Sequence, residues 1–302
     1  MSFHQSSARR LSVLLTFACF SAAYLLGCSG PQLASAPQET ARAPGPFLWE
    51  VTGDNGPVYL MGTVHLGVDA EKELPAEVWD ALERSSRFVM EADITKVNPL
   101  ELMKYIQLPP GESLSSKLDN AQWELLKART ARVMPEMVLL QSRPWFINTL
   151  LMQMVAPDNT PMDLAFQERA RAQGKSLEYL ETWEFQILMM NSLPEAYSID
   201  GLVMALTEPE AFEGELLALL DAYRSGEEAQ VIAQMHEEMS DYPRVTEMTL
   251  NKRNQSWIAP IEDYIKKGDV FVAVGLAHLV GEQSVVALLR QKGYTVERVG
   301  SR

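Results

Sequence analysis

The chain has 302 residues, 47% of them apolar, and a formal charge of −14 from 40 acidic against 26 basic side chains. A surface of that sign repels nucleic-acid phosphates, which excludes a nucleic-acid partner. The two cysteines, Cys19 and Cys28, both lie near the amino terminus, so no disulfide or thiolate site is available to a folded domain further along, and its stability must come from apolar burial.

The earliest element in chain order is a leader. Arg9-Arg10 precedes an apolar run from Leu11 to Leu26 broken only by Ser12, Thr16 and Ser21, the charged and hydrophobic regions of a secretory signal. The run falls short of the about 20 apolar residues that a membrane span needs. It ends in Leu25-Leu26-Gly27-Cys28, which resembles the lipobox of bacterial lipoproteins, where the cysteine is acylated and becomes the mature amino terminus. The expectation is therefore a signal peptide over 1–27 and attachment to a membrane of the bacterial envelope through acylated Cys28. Ser29-Gly30 lacks the aspartate associated with inner-membrane retention, which favours the outer membrane with the protein facing the periplasm. Residues 28–46 are rich in Ser, Ala, Pro and Gln, the composition of a disordered tether. One domain is expected over 47–302, and roughly 255 residues suffice to bury a large core.

Phe47-Leu48-Trp49-Glu50-Val51 and Val58-Tyr59-Leu60-Met61-Gly62-Thr63-Val64 are aromatic and β-branched runs around Gly53-Asp54-Asn55-Gly56-Pro57, which predicts a β-hairpin. Pro75 opens a helix with Val78, Trp79 and Leu82 on one side, and Phe88-Val89-Met90 is a short buried strand. From about Pro99 to Lys267 helical periodicity dominates, with starts near Asn120, Pro144, Pro161, Glu184, Glu208 and Arg244 and one strand at Ser176–Leu180. The chain closes with a strand over Asp269–Val274, a helix over Val280–Gln291 and a strand over Tyr294–Val299. Val270-Phe271-Val272-Ala273-Val274 is apolar on both faces, as in a central strand covered on both sides. The fold class is thus α/β (α+β): a central mixed sheet built from the amino- and carboxyl-terminal segments, with a large helical insertion.

The two sheet halves share Gly-x-x-His, as Gly62-Thr63-Val64-His65 and Gly275-Leu276-Ala277-His278. Both copies end a predicted strand, the edge where open α/β sheets bind ligands. Gly62 and Gly275 let the backbone approach a ligand without a Cβ in the way. Glu91 ends the strand Phe88-Val89-Met90 and points at the same edge. Two imidazoles and a carboxylate make a plausible holder for a divalent cation with positions left open, and such an ion supports hydrolysis. Of the other histidines, His4 lies in the leader and His236, beside Glu237 and Glu238, reads as a surface residue. If His65, Glu91 and His278 share one ion, replacing any of them should lower stability in metal and have little effect in chelator.

At these residues the chain resembles the TraB/GumN/Tiki family of metal-dependent hydrolases. Phe47–Val51, Tyr59–His65, Leu74-Pro75 and Met90-Glu91-Ala92-Asp93 resemble its amino-terminal block; Phe271–Gly281 with Gly293-Tyr294-Thr295-Val296 resembles its carboxyl-terminal block. Met162-Asp163, Gly174-Lys175 and Leu180-Glu181-Thr182 look like its central segment, and Arg253-Asn254 with Trp257 looks like its polar helix motif. One departure is that Pro161-Met162 stands where the family carries glycine before the aspartate. The resemblance implies that His65, Glu91 and His278 hold a divalent ion, Mn, Co or Zn, and that Glu181, Arg253 and Asn254 line the pocket with Glu91. Animal proteins resembling the family are described as manganese- or cobalt-using proteases, which implies a peptide or small-molecule substrate.

Without the resemblance, Asn251-Lys252-Arg253-Asn254-Gln255 reads as a solvated helix face, Glu181 as a cap or surface acid, and each histidine as a core or capping residue. Two other readings stand beside the hydrolase. One is a non-catalytic lipoprotein that holds metal, haem or peptide in the same crevice, since two histidines also ligate haem iron. The other is a scaffold docking a partner through methionines such as Met152, Met154, Met189 and Met190, whose spacing is that of plain core.

Overall fold

The computed structural model describes residues 45–239 and 241–300. The leader, Cys28 and the tether up to residue 44 lie outside the described residues. Among the described residues, no helix is long and apolar enough to cross a membrane.

Six strands form one mixed sheet in the order β4-β3-β5-β2-β1-β6: β1 Leu48–Val51, β2 Val58–Thr63, β3 Arg87–Met90, β4 Ser176–Tyr179, β5 Val270–Gly275 and β6 Val296–Arg298. The expected hairpin is present, with Leu48 opposite Met61 and Val51 opposite Val58. Its turn includes Gly56 at φ +121°, a left-handed conformation open to glycine. β6 pairs antiparallel with β1, so the last strand lies beside the earliest one.

The other pairings are parallel. β2 runs beside β5 with Thr63 opposite Gly275, β5 beside β3 with Ala273 opposite Met90, and β3 beside β4 with Met90 opposite Tyr179. Every residue of β2 and β5 is buried, as a strand covered on both faces requires. Helix Ala76–Arg84 buries Val78 and Leu82, and helix Met162–Ala172 lays Phe166 against Phe271 of β5 at 5.4 Å between ring centroids. Helix Lys252–Lys267 also packs against β5 and against helix Val285–Gln291.

The helical insertion is as expected, with two refinements. β4 comes from within it and adds a strand to the sheet edge, where its exposed or half-buried residues suit an edge position. The last helix starts at Val285, not at Val280: Leu276–His278 forms a 3₁₀ turn, Gly281 sits at φ +87°, and only then does the Ser284 side chain cap the helix by accepting from Ala287 N. That delay keeps His278 on a tight turn at the strand end. Met152, Met189 and Met190 are buried in the core, and His236 is exposed on helix Glu228–Met239.

Candidate active site

Four parallel strands finish side by side, and each delivers a polar side chain to that edge. In sheet order these are Glu181 just beyond β4, Glu91 directly after β3, Gly275 and His278 at the end of β5, and His65 two residues beyond β2. The ladder continues past the strands, for Glu181 N donates to the Glu91 carbonyl at 2.8 Å. The two Gly-x-x-His motifs are neighbours because β2 and β5 are paired in register, Gly62 opposite Val274.

Gly275 is the floor on which the three metal candidates meet. A Cβ placed there would stand 3.3 Å from Glu91 Oε1, 3.7 Å from His65 Nε2 and 3.7 Å from His278 Cδ2. Gly62 has another reason to be glycine, since a Cβ would come within 2.7 Å of the Leu276 side chain, at the start of the second motif. It also turns its carbonyl to the buried Tyr223 hydroxyl, 3.0 Å away.

His65 is held by Asp163, whose Oδ2 accepts from Nδ1, while Asp163 Oδ1 accepts from Thr63 Oγ1 at 2.8 Å. His65 Nε2 is buried and has no hydrogen-bond partner among the described residues. A buried polar atom left unpaired costs about 1–3 kcal/mol, so it marks a place for a ligand. Burial works against protonation of His65, but the charge of Asp163 and the bond to it outweigh burial and raise its pKa above the ordinary 6.5. Burial acts upward on Asp163, and the charge of His65 with bonds from His65 and Thr63 brings it below its ordinary value.

His278 is fully buried under Trp257, ring centroids 4.4 Å apart. Asn254 Nδ2 donates to the Gln283 carbonyl at 2.8 Å, which makes Asn254 Oδ1 the acceptor for His278 Nδ1–H at 2.6 Å. His278 Nε2 then carries the lone pair, and it accepts from Arg253 Nη1 at 3.0 Å. Burial, and after it the charges of Arg253 and His65, push the His278 pKa well below 6.5, so the ring is neutral.

Arg253 and Asn254, 1% and 2% exposed, do not lie on a solvated helix face. The guanidinium forks onto Glu181 through Nε at 2.9 Å and Nη2 at 2.8 Å, and the same Nη2 reaches Glu91 Oε2 at 2.6 Å. Trp257 Nε1 also donates to Glu181, at 2.9 Å. Glu91 takes two further donors, Gly275 N at 2.8 Å and Gln186 Nε2 at 3.0 Å. The cap of the helix after β4 is Thr182, whose side chain accepts from Phe185 N, so Glu181 is not a cap.

Two residues important to this arrangement were not assigned a role from the sequence, Asp163 having been pointed to by the family resemblance alone. Gln186 gave no signal, being one of three polar residues in a mostly apolar helix, with Glu184 and Asn191. Asp163 gave a faint one: an acid in the opening turn of a helix, directly after Pro161-Met162, which reads as ordinary helix-dipole chemistry.

The donor set suits a divalent cation of intermediate softness: two imidazoles and a carboxylate around a glycine floor, with a buried nitrogen that lacks a partner. The positioning of His65 by a carboxylate on its far nitrogen is the usual support for a metal-binding imidazole. Among the described residues, however, no group of three or more His, Cys, Asp or Glu side chains stands gathered around one point. Arg253 Nη1 stands at the lone pair of His278. The donor types are those of such an ion's site, and to hold one His278 would have to exchange that contact for it.

Asp163→Asn tests this support. Thr63 would keep the amide oxygen in place and turn the amide nitrogen to His65 Nδ1, which would then have to accept, moving the ring proton onto Nε2. Metal affinity should fall by about 10–100-fold in a chelator-competition titration; unchanged affinity would detach Asp163 from the site.

A family model described as the TraB/PrgY/gumN family matches residues 47–298. The chain is 22% identical over 241 residues to the uncharacterized protein YbaP of Escherichia coli (strain K12), spanning 77% of this chain and 87% of that protein, and it matches the protein of the same description from Shigella flexneri to the same extent. No solved structure matches the chain. The match covers both Gly-x-x-His motifs, Glu91, Glu181 and the Arg253-Asn254 pair, and on it the chain belongs to the TraB/PrgY/gumN family.

Proposed function

We propose that this chain is a metal-dependent hydrolase that cleaves peptide amides, tethered to the bacterial envelope through Cys28. The observation that carries the reading is the buried, unpartnered His65 Nε2 beside Glu91 Oε1 over the Gly275 floor. His65, Glu91 and His278 would hold the ion; when bound it supplies Lewis-acid chemistry, acidifying water and polarising a carbonyl.

The protein's own groups do the rest. Asp163 fixes the ring of His65, and Asn254 fixes that of His278, so both Nε2 atoms face the site. Arg253, gripped from behind by Glu181, brings a rigid set of donors to the wall, suited to an oxygen on which negative charge develops. Burial of all these groups excludes bulk water and strengthens each interaction. The haem-binding alternative has less support, because His278 is fully buried beneath Trp257 and its Nε2 is taken by Arg253.

The test is the purified full-length chain in detergent, stripped by chelator, reloaded with Mn²⁺, Co²⁺ or Zn²⁺ and incubated with a peptide library read by mass spectrometry. Cleavage with at least one ion, abolished by chelator, is expected. Metal retained with no cleavage of any peptide would leave a binding protein and remove the peptidase, and a Soret band in the purified chain would favour haem.

A further inference from the structure

We propose that Arg253 is a resident cation that a divalent ion must push off His278, so that the arginine sets how tightly this site takes metal. The inference rests on the metal-binding reading above and concerns its regulation.

The bonds of Arg253 divide into two groups. Nε and Nη2 fork onto Glu181, and Nη1 donates to the Thr249 carbonyl at 3.0 Å, none of them a metal candidate. In the second group Nη1 donates to His278 Nε2 at 3.0 Å and Nη2 to Glu91 Oε2 at 2.6 Å. The bonds of this second group go to two of the three residues that would hold the ion. His278 cannot offer its other nitrogen instead, because Nδ1–H is committed to Asn254 at 2.6 Å. A metal and the Nη1–H therefore compete for one lone pair.

They also compete as charges. His278 Nε2 and Glu91 Oε1 lie 3.8 Å apart, a separation two atoms bound to one ion can have, given bonds of roughly 2.0–2.2 Å. An ion between them would sit close to a buried guanidinium, and like charges in a low-dielectric interior repel strongly. The arginine can yield without leaving its charge unbalanced, since the Glu181 carboxylate can still hold it through Nε.

The backbone before it is irregular. Glu247–Asn251 is a π-helical turn, ending just before Arg253, and Thr249 belongs to it. Such turns are frequent at functional sites.

Two measurements on the full-length chain test the proposal. Titration of chelator-stripped wild type and Arg253→Met with Zn²⁺, Mn²⁺ and Co²⁺ in competition with a chelating dye should give a Kd at least tenfold lower in the variant. An arginine that merely supports the site would give a variant that binds more weakly or equally, which overturns the inference and leaves the metal reading intact. Metal binding in neither protein overturns both.

Because Arg253→Met leaves two carboxylates without their guanidinium and could fail to fold, the second measurement uses the wild type. With ¹⁵N-labelled arginine, assigned through Arg253→Lys, Zn²⁺ should shift the Nη signals of Arg253 while its Nε signal, held by Glu181, stays. Metal bound with unmoved Nη signals would equally overturn the displacement.

Discussion

Glu91→Ala should destabilise the chain by about 3–5 kcal/mol, the cost of breaking a buried ion pair from one side, and should do so in chelator as fully as in metal. Glu91 is 5% exposed and accepts from three buried donors: Arg253 Nη2, Gln186 Nε2 and the Gly275 amide. Alanine removes this acceptor from all three: Arg253 Nη2 and Gln186 Nε2 keep Glu181 Oε2, at 2.8 and 3.3 Å, while the Gly275 amide loses the carboxylate it donates to. Glu181 continues to balance the arginine's charge, which places the loss toward the lower end of that range. For a domain of this size the change corresponds to a fall in Tm of roughly 10 °C. Glu91→Gln, with one acceptor oxygen for three donors, should fall between alanine and wild type. Urea unfolding with an unchanged m-value is the measurement. A Glu91→Ala chain within about 1 kcal/mol of wild type in chelator would mean that the Arg253 network does not exist in solution. This departs from the sequence-based expectation that the three metal candidates would behave alike without metal: Glu91 has a second, metal-independent duty.

The sheet was legible because its two central strands are short and apolar on both faces. The pairing of the Gly-x-x-His motifs followed from their place at strand ends, and the parallel register of β2 and β5 makes them neighbours. Glu91 was legible for the same reason. Arg253 was legible only through the family resemblance, because Asn251-Lys252-Arg253-Asn254-Gln255 is polar at every position and hydropathy assigns such a run to solvent. Its burial is decided by Glu181, 72 residues away, and Glu91, 162 residues away, and no local signal encodes partners at that distance. Asp163 was obscured in the same manner, since its partners Thr63 and His65 lie 100 and 98 residues back. The placement of β4 was legible as a strand but not as a member of the sheet, because a four-residue strand with an exposed end lacks the two-sided apolar pattern of β5.

His65→Asn and His278→Asn should each reduce metal affinity by at least about 100-fold, since a ligand matters at least as much as the group supporting it. Asparagine is the informative choice because its amide nitrogen lies near the position of Nδ1. His65→Asn thus retains a donor for Asp163, and His278→Asn one for the Asn254 oxygen, while Nε2 disappears from each. His65→Ala would confound the result by leaving Asp163, 2% exposed, as a buried carboxylate without its partner. Elemental analysis of the chain, after equilibration with one equivalent of Mn²⁺, Co²⁺ or Zn²⁺ and gel filtration, reads the outcome. The two variants should also differ from each other. Deleting His278 Nε2 removes one acceptor of Arg253 Nη1 and leaves it the Thr249 carbonyl, so His278→Asn should disturb the arginine signals even in chelator, whereas His65→Asn should leave them in place. Metal content equal to wild type in both variants would show that these imidazoles are structural and would take the hydrolase with it.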